Sequence, residues 1–111
     1  MTSNKNLVNK KCIACEGTEK PFTTEEIANY TPQVPDWQVK NDKALEREFV
    51  LTDFTAALTL VNHIGQLAED EGHHPDICLH DYKKVTVTIS THVIDGLSEN
   101  DFILAAKIDQ L

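Results

Sequence analysis

Apolar residues in this chain change their spacing several times, and each change predicts a new element. Thr23-Thr24-Glu25-Glu26 has the form of a capping box, with Thr23 as N-cap and Glu26 three positions on, and it opens a short helix over Thr24 to Tyr30 that Pro32 must stop. Trp37 to Lys40 reads as a strand and Asn41-Asp42 as a turn. The returning strand follows, with Leu45, Phe49 and Leu51 set among Glu46, Glu48 and Val50. From Thr52 or Asp53 the period lengthens: Phe54, Ala57, Leu58, Val61, Ile64, Gly65 and Ala68 recur at three and four, an amphipathic helix lasting to about Glu71. Gly72 ends it, and Pro75 disfavours helical geometry at the residue before it, so His73 and His74 fall on a helix-to-strand connection. Asp76 to Leu79 begins a second hairpin, and Tyr82 to His92 is the clearest strand. On that strand Val85, Val87 and Ile89 share one face, and Thr86, Thr88, Ser90 and His92 the other. Ser98-Glu99-Asn100-Asp101 is a second capping-box start for a last helix from about Glu99 to Lys107 or beyond.

The order α-β-β-α-β-β-α, with short connections, predicts an α+β two-layer fold: a four-stranded antiparallel sheet with three helices packed on one face. Residues 1–22 read as a polar N-terminal arm and 23–111 as a single domain. In the last helix Phe102, Ile103, Leu104, Ala105, Ala106, Ile108 and Leu111 spread beyond one stripe, more apolar surface than one sheet contact consumes. That surplus suggests a homo-oligomer, dimer or tetramer, with this helix at the subunit contact.

Composition narrows the function classes. A net charge of −8, from 18 acidic against 10 basic residues, repels a phosphate backbone and argues against nucleic-acid binding. No apolar run is long enough to cross a membrane, and the polar opening from Met1 to Lys11 has no signal-peptide core, so a soluble, cytoplasmic protein is expected. Cys12, Cys15 and Cys78 form no disulfide framework. The Cys12-Cys15 spacing lacks the second pair of a closed zinc site and is followed by loop-forming residues, so both thiols are read as free.

Five histidines are the chemically informative feature, because His73 and His74 are adjacent and His92 follows one hairpin later. Imidazole gives and takes protons near neutrality without a cofactor, which suits a cluster of histidines with acids nearby to proton transfer. The bland reading, one histidine capping the helix and the others solvated, stays open for the pair taken alone, and His63 and His80 are assigned to it.

The spacing Glu69-x-x-x-His73-His74-Pro75, then Tyr82, His92 and Asp101, resembles the signature of the pterin-4a-carbinolamine dehydratase family. The similarity extends through Ser90-Thr91-His92, Gly96-Leu97-Ser98 and the last helix, and more weakly back to Trp37. Gly72 departs from the acidic residue that many members carry before the histidine pair. The resemblance implies the same α-β-β-α-β-β-α fold and dehydration of 4a-hydroxytetrahydropterin to the quinonoid dihydropterin, supporting an aromatic amino acid hydroxylase. It implies no metal, nucleotide or redox cofactor. His73, His74 and His92 would surround the pterin, His73 and His92 transferring protons and His74 mainly binding. Glu69 and Asp101 would orient histidines, Asp101 acting on His92; Pro75 would shape the connection, and Trp37 would wall the pocket or fill the core. Two other readings remain: a non-catalytic dimerisation and transcriptional coactivator module, as in some family members, and a zinc site on the three histidines.

Overall fold

The computed structural model describes residues 7–13, 17 and 19–111, so Cys15 lies outside the described residues. The elements run α1 (Thr24–Tyr30), β1 (Gln38–Lys40), β2 (Ala44–Val50), α2 (Phe54–Glu71), β3 (Asp76–His80), β4 (Lys84–Ile89) and α3 (Glu99–Ile108). Short 3-10 turns occupy Thr31–Gln33 and His92–Ile94. The strands form one antiparallel sheet in the order β1-β2-β4-β3, two hairpins joined through β2 and β4. Both hairpin tips turn through two successive left-handed residues, Asn41 and Asp42 in the first and Asp81 and Tyr82 in the second. The expected α+β architecture is therefore present.

Local chemistry sets the element ends. Thr23 accepts from Glu26 N while the Glu26 carboxylate accepts from Thr23 N, the reciprocal capping box that starts α1. Asp53 caps α2 by accepting from Ala56 N. At the other end of α2, Gly72 takes the left-handed conformation (φ 68°), which costs glycine nothing because it has no Cβ. Gly72 N then donates to Glu69 O and His73 N to Ala68 O, a complete Schellman motif.

One strand is shorter than its alternation suggests. Tyr82 belongs to the hairpin tip, and β4 stops at Ile89, because Thr91 leaves the sheet to bridge Gly96 and His92 opens a 3-10 turn. Val85, Val87 and Ile89 do share the covered face and are fully buried, with Leu45 of β2 beside them. Ala57, Ile64 and Ala68 of α2 and Phe102, Leu104 and Ala105 of α3 complete this core.

The surplus apolar surface of α3 is consumed within the chain: Phe102 through Ala106 and Ile108 are all buried, and only Leu111, beyond the helix, is exposed. Phe22 and Tyr30 stack around Phe102, covering the side of α3 that the sheet does not reach. The helix therefore supplies no argument for a subunit contact. Exposed apolar side chains include Val50, Phe54 and Leu58, at the end of β2 and the start of α2, besides Ile13, Tyr82, Val93 and Leu111 elsewhere.

The described residues before residue 23 are not a free arm. Leu7 is buried in the core, and Cys12 is partly buried where α2 ends and α3 begins. Cys12 N donates to Glu71 Oε1 (2.9 Å), and Lys107 Nζ donates to Glu71 Oε2 (2.6 Å). Burial pushes the Glu71 carboxyl up, but the Lys107 hydrogen bond, the Cys12 N–H and the charges of Lys107 and Lys11 outweigh it and hold the group below the ordinary value of 4.5. Because the folded-state value is lowered, this contribution to stability is complete above about pH 4.5 and is lost as pH falls through the lowered value. We expect Glu71→Gln to cost about 1–3 kcal/mol at neutral pH, and the deficit to shrink in acid as the wild-type carboxylate becomes protonated. Thermal melts from pH 7 to pH 3 check this; a constant deficit over that range would contradict it.

Candidate functional site

The turn after α2 and the chain leaving β4 border an open cleft of about 290 Å³ lined by Gly72, His73, His74, Ser90, Thr91, His92 and Val93. All three histidines singled out in the sequence border it. They arrive from two segments, one following the Schellman turn of α2 and the other following β4.

His73 forms the fixed side of this cleft. Its backbone N–H is held by Ala68 O, and its Nε2 lies 2.7 Å from Asp101 Oδ1. The His73 side chain is only 13% exposed and Asp101 is fully buried. An ionised carboxylate only accepts hydrogen bonds, so the Asp101 contact assigns the proton to Nε2 of His73 and leaves Nδ1 free to accept one. The second oxygen of Asp101 accepts from Ser98 N (2.8 Å) and Thr91 Oγ1 (2.8 Å), and the Thr91 hydroxyl also lies 3.0 Å from Ser98 Oγ. Asp101 thus completes the helix cap and orients a histidine at once, one oxygen for each task.

The partner of Asp101 is His73, not His92 as the spacing alone suggested. His92 begins the 3-10 turn, is exposed, and makes no side-chain hydrogen bond among the described residues. His74 meets Glu69, Nε2 to Oε2 at 2.5 Å. Both partners are largely exposed, 61% and 71%, so the pair steers the ring more than it stabilises the fold. The two Nε2 atoms therefore turn to different carboxylates, and among the described residues no group of three metal-ligating side chains is arranged to hold an ion.

Two candidates stand apart. Trp37 fills the core: its ring is buried, lies edge-on to Phe49, and donates from Nε1 to Asp109 Oδ1 (2.9 Å), none of which lines the cleft. Pro75 is half-buried outside the lining, where it leads the chain into β3. His80 hydrogen-bonds Asp81 and Thr86, and His63 is exposed on α2; neither borders the cleft. Thr91 is the residue that sequence reasoning missed. Thr91 continues the apolar series of Val85, Val87 and Ile89, and a polar residue at a buried place in that series is the signal its contact with Asp101 explains.

Residues 20–111 match the family model described as pterin 4 alpha carbinolamine dehydratase. A protein of Alkaliphilus metalliredigens, provisionally named a pterin-4-alpha-carbinolamine dehydratase, is 52% identical over 106 residues, covering 95% of each chain. One of Rubrobacter xylanophilus with the same provisional name is 43% identical over 105 residues, 95% of this chain and 97% of its own. Among solved structures, a transcriptional coactivator/pterin dehydratase of Brucella melitensis superposes with a TM-score of 0.75 at 28% identity, covering 82% of this chain and 97% of that one. A pterin dehydratase-like RuBisCO assembly factor of the alpha-carboxysome shares the fold alone, with a TM-score of 0.54 at 20% identity over 67% of this chain and 83% of its own. By sequence over nearly its whole length, the chain belongs to the pterin 4 alpha carbinolamine dehydratase family.

Proposed function

We propose that this protein catalyses loss of water from a 4a-hydroxytetrahydropterin, giving the quinonoid dihydropterin and so supporting tetrahydropterin recycling by an aromatic amino acid hydroxylase. The observation that carries this reading is the buried Asp101 carboxylate bonded to His73 at the side of a cleft that His74 and His92 also border. About 290 Å³ is at the small end for ligand clefts and suits a compact bicyclic ring.

In the reaction, the N5 lone pair forms the C4a=N5 bond as the C4a–O bond breaks, the departing hydroxyl takes up a proton, and N5 gives one up. One acid and one base at opposite edges of the ring are enough. His73, with Nε2 committed to Asp101, offers Nδ1 as the base for the N5 proton. His92, exposed and without a side-chain hydrogen bond among the described residues, serves as the acid for the hydroxyl. His74, steered by Glu69, binds and orients the pterin. No metal or redox cofactor enters this scheme. The runner-up, a non-catalytic dimerisation and coactivator module, leaves the buried His73–Asp101 pair without a task.

Assembly as a homo-oligomer belongs to the same proposal, with Val50, Phe54 and Leu58 as the exposed apolar residues available for it. The protein would work in the cytoplasm.

The test is the rate of dehydration of freshly generated carbinolamine above its spontaneous rate, using chelator-treated protein with metal content verified as far below stoichiometric. Replacing His73 or His92 by alanine should lower turnover by roughly 10²-fold or more with the fold retained, and near-normal turnover in either would sink the assignment. His74→Ala should act mainly on substrate affinity. Asp101→Asn can still accept from Ser98 N yet can no longer fix the His73 tautomer. It should melt within about 1–2 kcal/mol of the wild type while losing at least ~10-fold in turnover, and a variant as active as the wild type would remove Asp101 from the mechanism. Sedimentation at low micromolar concentration checks assembly, and a 12.5 kDa species would count against it.

A further inference from the structure

The segment Lys10–Ile13 with Gly17 reaches each of the three stretches that carry the cleft's functional groups, next to the groups themselves. Lys11 Nζ donates to Asp70 O (2.6 Å) and Cys12 N to Glu71 Oε1, both on the last turn of α2 immediately before Gly72 and His73. Asn100, one residue before Asp101, clasps Ile13 from both sides: Ile13 N donates to Asn100 Oδ1 (3.0 Å) and Asn100 Nδ2 to Ile13 O (2.6 Å). The Cys12 thiol also donates to Asn100 O (3.5 Å). Burial, then the Glu71 carboxylate, pushes that thiol up to about 12, so it remains a neutral donor and no nucleophile. On the third stretch, a Cβ placed on Gly17 would lie 2.8 Å from Val93 Cγ2, so the segment packs directly against the residue after His92.

These contacts have one mechanical consequence. The His73–Asp101 bond spans two separate helix ends, and its geometry depends on how the C-terminus of α2 lies against the N-terminus of α3. Backbone bonds within each helix do not set that relation. The segment bonds both ends, to Glu71 on one and Asn100 on the other. Glu71, which also accepts from Lys107 across the same junction, is 7% exposed in its side chain and is therefore held firmly.

We infer that residues Lys10–Ile13 form a strap that fixes the spacing of His73 and Asp101, with Asn100 and Glu71 as positioning residues for the proposed dehydration. Neither touches the substrate. The inference rests on the functional reading above, but one of its readouts does not. Asn100→Ala removes both clasps on Ile13, and Glu71→Gln, of the same shape, weakens the junction at α2 should the first variant fold poorly. Steady-state dehydration kinetics should show kcat lowered about fivefold with KM within about twofold, at temperatures well below the melting point of each variant. Without substrate, the His73 ring resonance in the NMR spectrum should move or broaden, while that of His80, held by Asp81 and Thr86 away from the cleft, stays in place. If the wild-type protein does not dehydrate carbinolamine, the functional reading fails, and the His73 resonance alone then decides the strap. Variants that melt lower but keep kcat and the His73 signal, or lose kcat with that signal unmoved, would overturn the inference.

Discussion

A buried carboxylate is the constraint around which this molecule is arranged. Desolvating an ionised aspartate costs several kcal/mol unless hydrogen bonds replace its water, and Asp101, with no exposed surface, needs donors from wherever the fold can supply them. Ser98 N comes from the start of α3, Thr91 Oγ1 from the chain leaving β4, and His73 Nε2 from the turn after α2. The N-terminal end of α3 adds the favourable field of its peptide dipoles. Satisfying one side chain thus brings the turn after α2 to two stretches up to 28 residues further on, the chain leaving β4 and the start of α3, and the cleft is the space between the first two. Thr91 explains why β4 ends early: its hydroxyl is turned to Asp101 while its backbone pairs with Gly96, so the strand cannot continue to His92.

Stiffness in the cleft is graded. His73 is fixed by a Schellman bond through its backbone and by Asp101 through its ring. His74 has only an exposed partner, and His92 has none among the described residues. For the proposed dehydration, a fixed base opposite two adjustable groups would be a workable arrangement, because preorganisation matters most where a proton transfer is most sensitive to distance.

How much was legible in the sequence follows from which interactions are local. Capping boxes, the three-and-four spacing of α2, the Gly72 stop and the alternation of β4 are short-range signals, and they place the elements within a few residues. The histidine spacing likewise singled out three residues that border one cleft. What failed were inferences about contacts between distant segments. Asp101 was paired with His92 because the two are near in sequence, whereas the turn at Thr91 swings His92 outward and the end of α2 brings His73 in. The apolar excess of α3 looked like a subunit face because Phe22, Tyr30 and Leu7, which cover it, lie far back in the chain. The polar composition before residue 23 hid its docking, since that docking runs through backbone groups and one leucine.

The strand order has a consequence for how such a protein can diversify. Every group bordering the cleft, together with Glu69 and Asp101, falls in the continuous stretch from the last turns of α2 through the second hairpin to the start of α3. The first hairpin supplies the other half of the sheet and joins it through the pairing of β2 with β4, while Lys43 beside its tip bonds Asp95 at the end of the His92–Ile94 turn (2.9 Å). Its outer strand β1 borders no cleft residue, whereas its tip is constrained by the left-handed Asn41 and Asp42 and by the Lys43–Asp95 pair. Substitution is therefore least constrained on β1, the edge strand set apart from β4 by β2 and from every residue that borders the cleft.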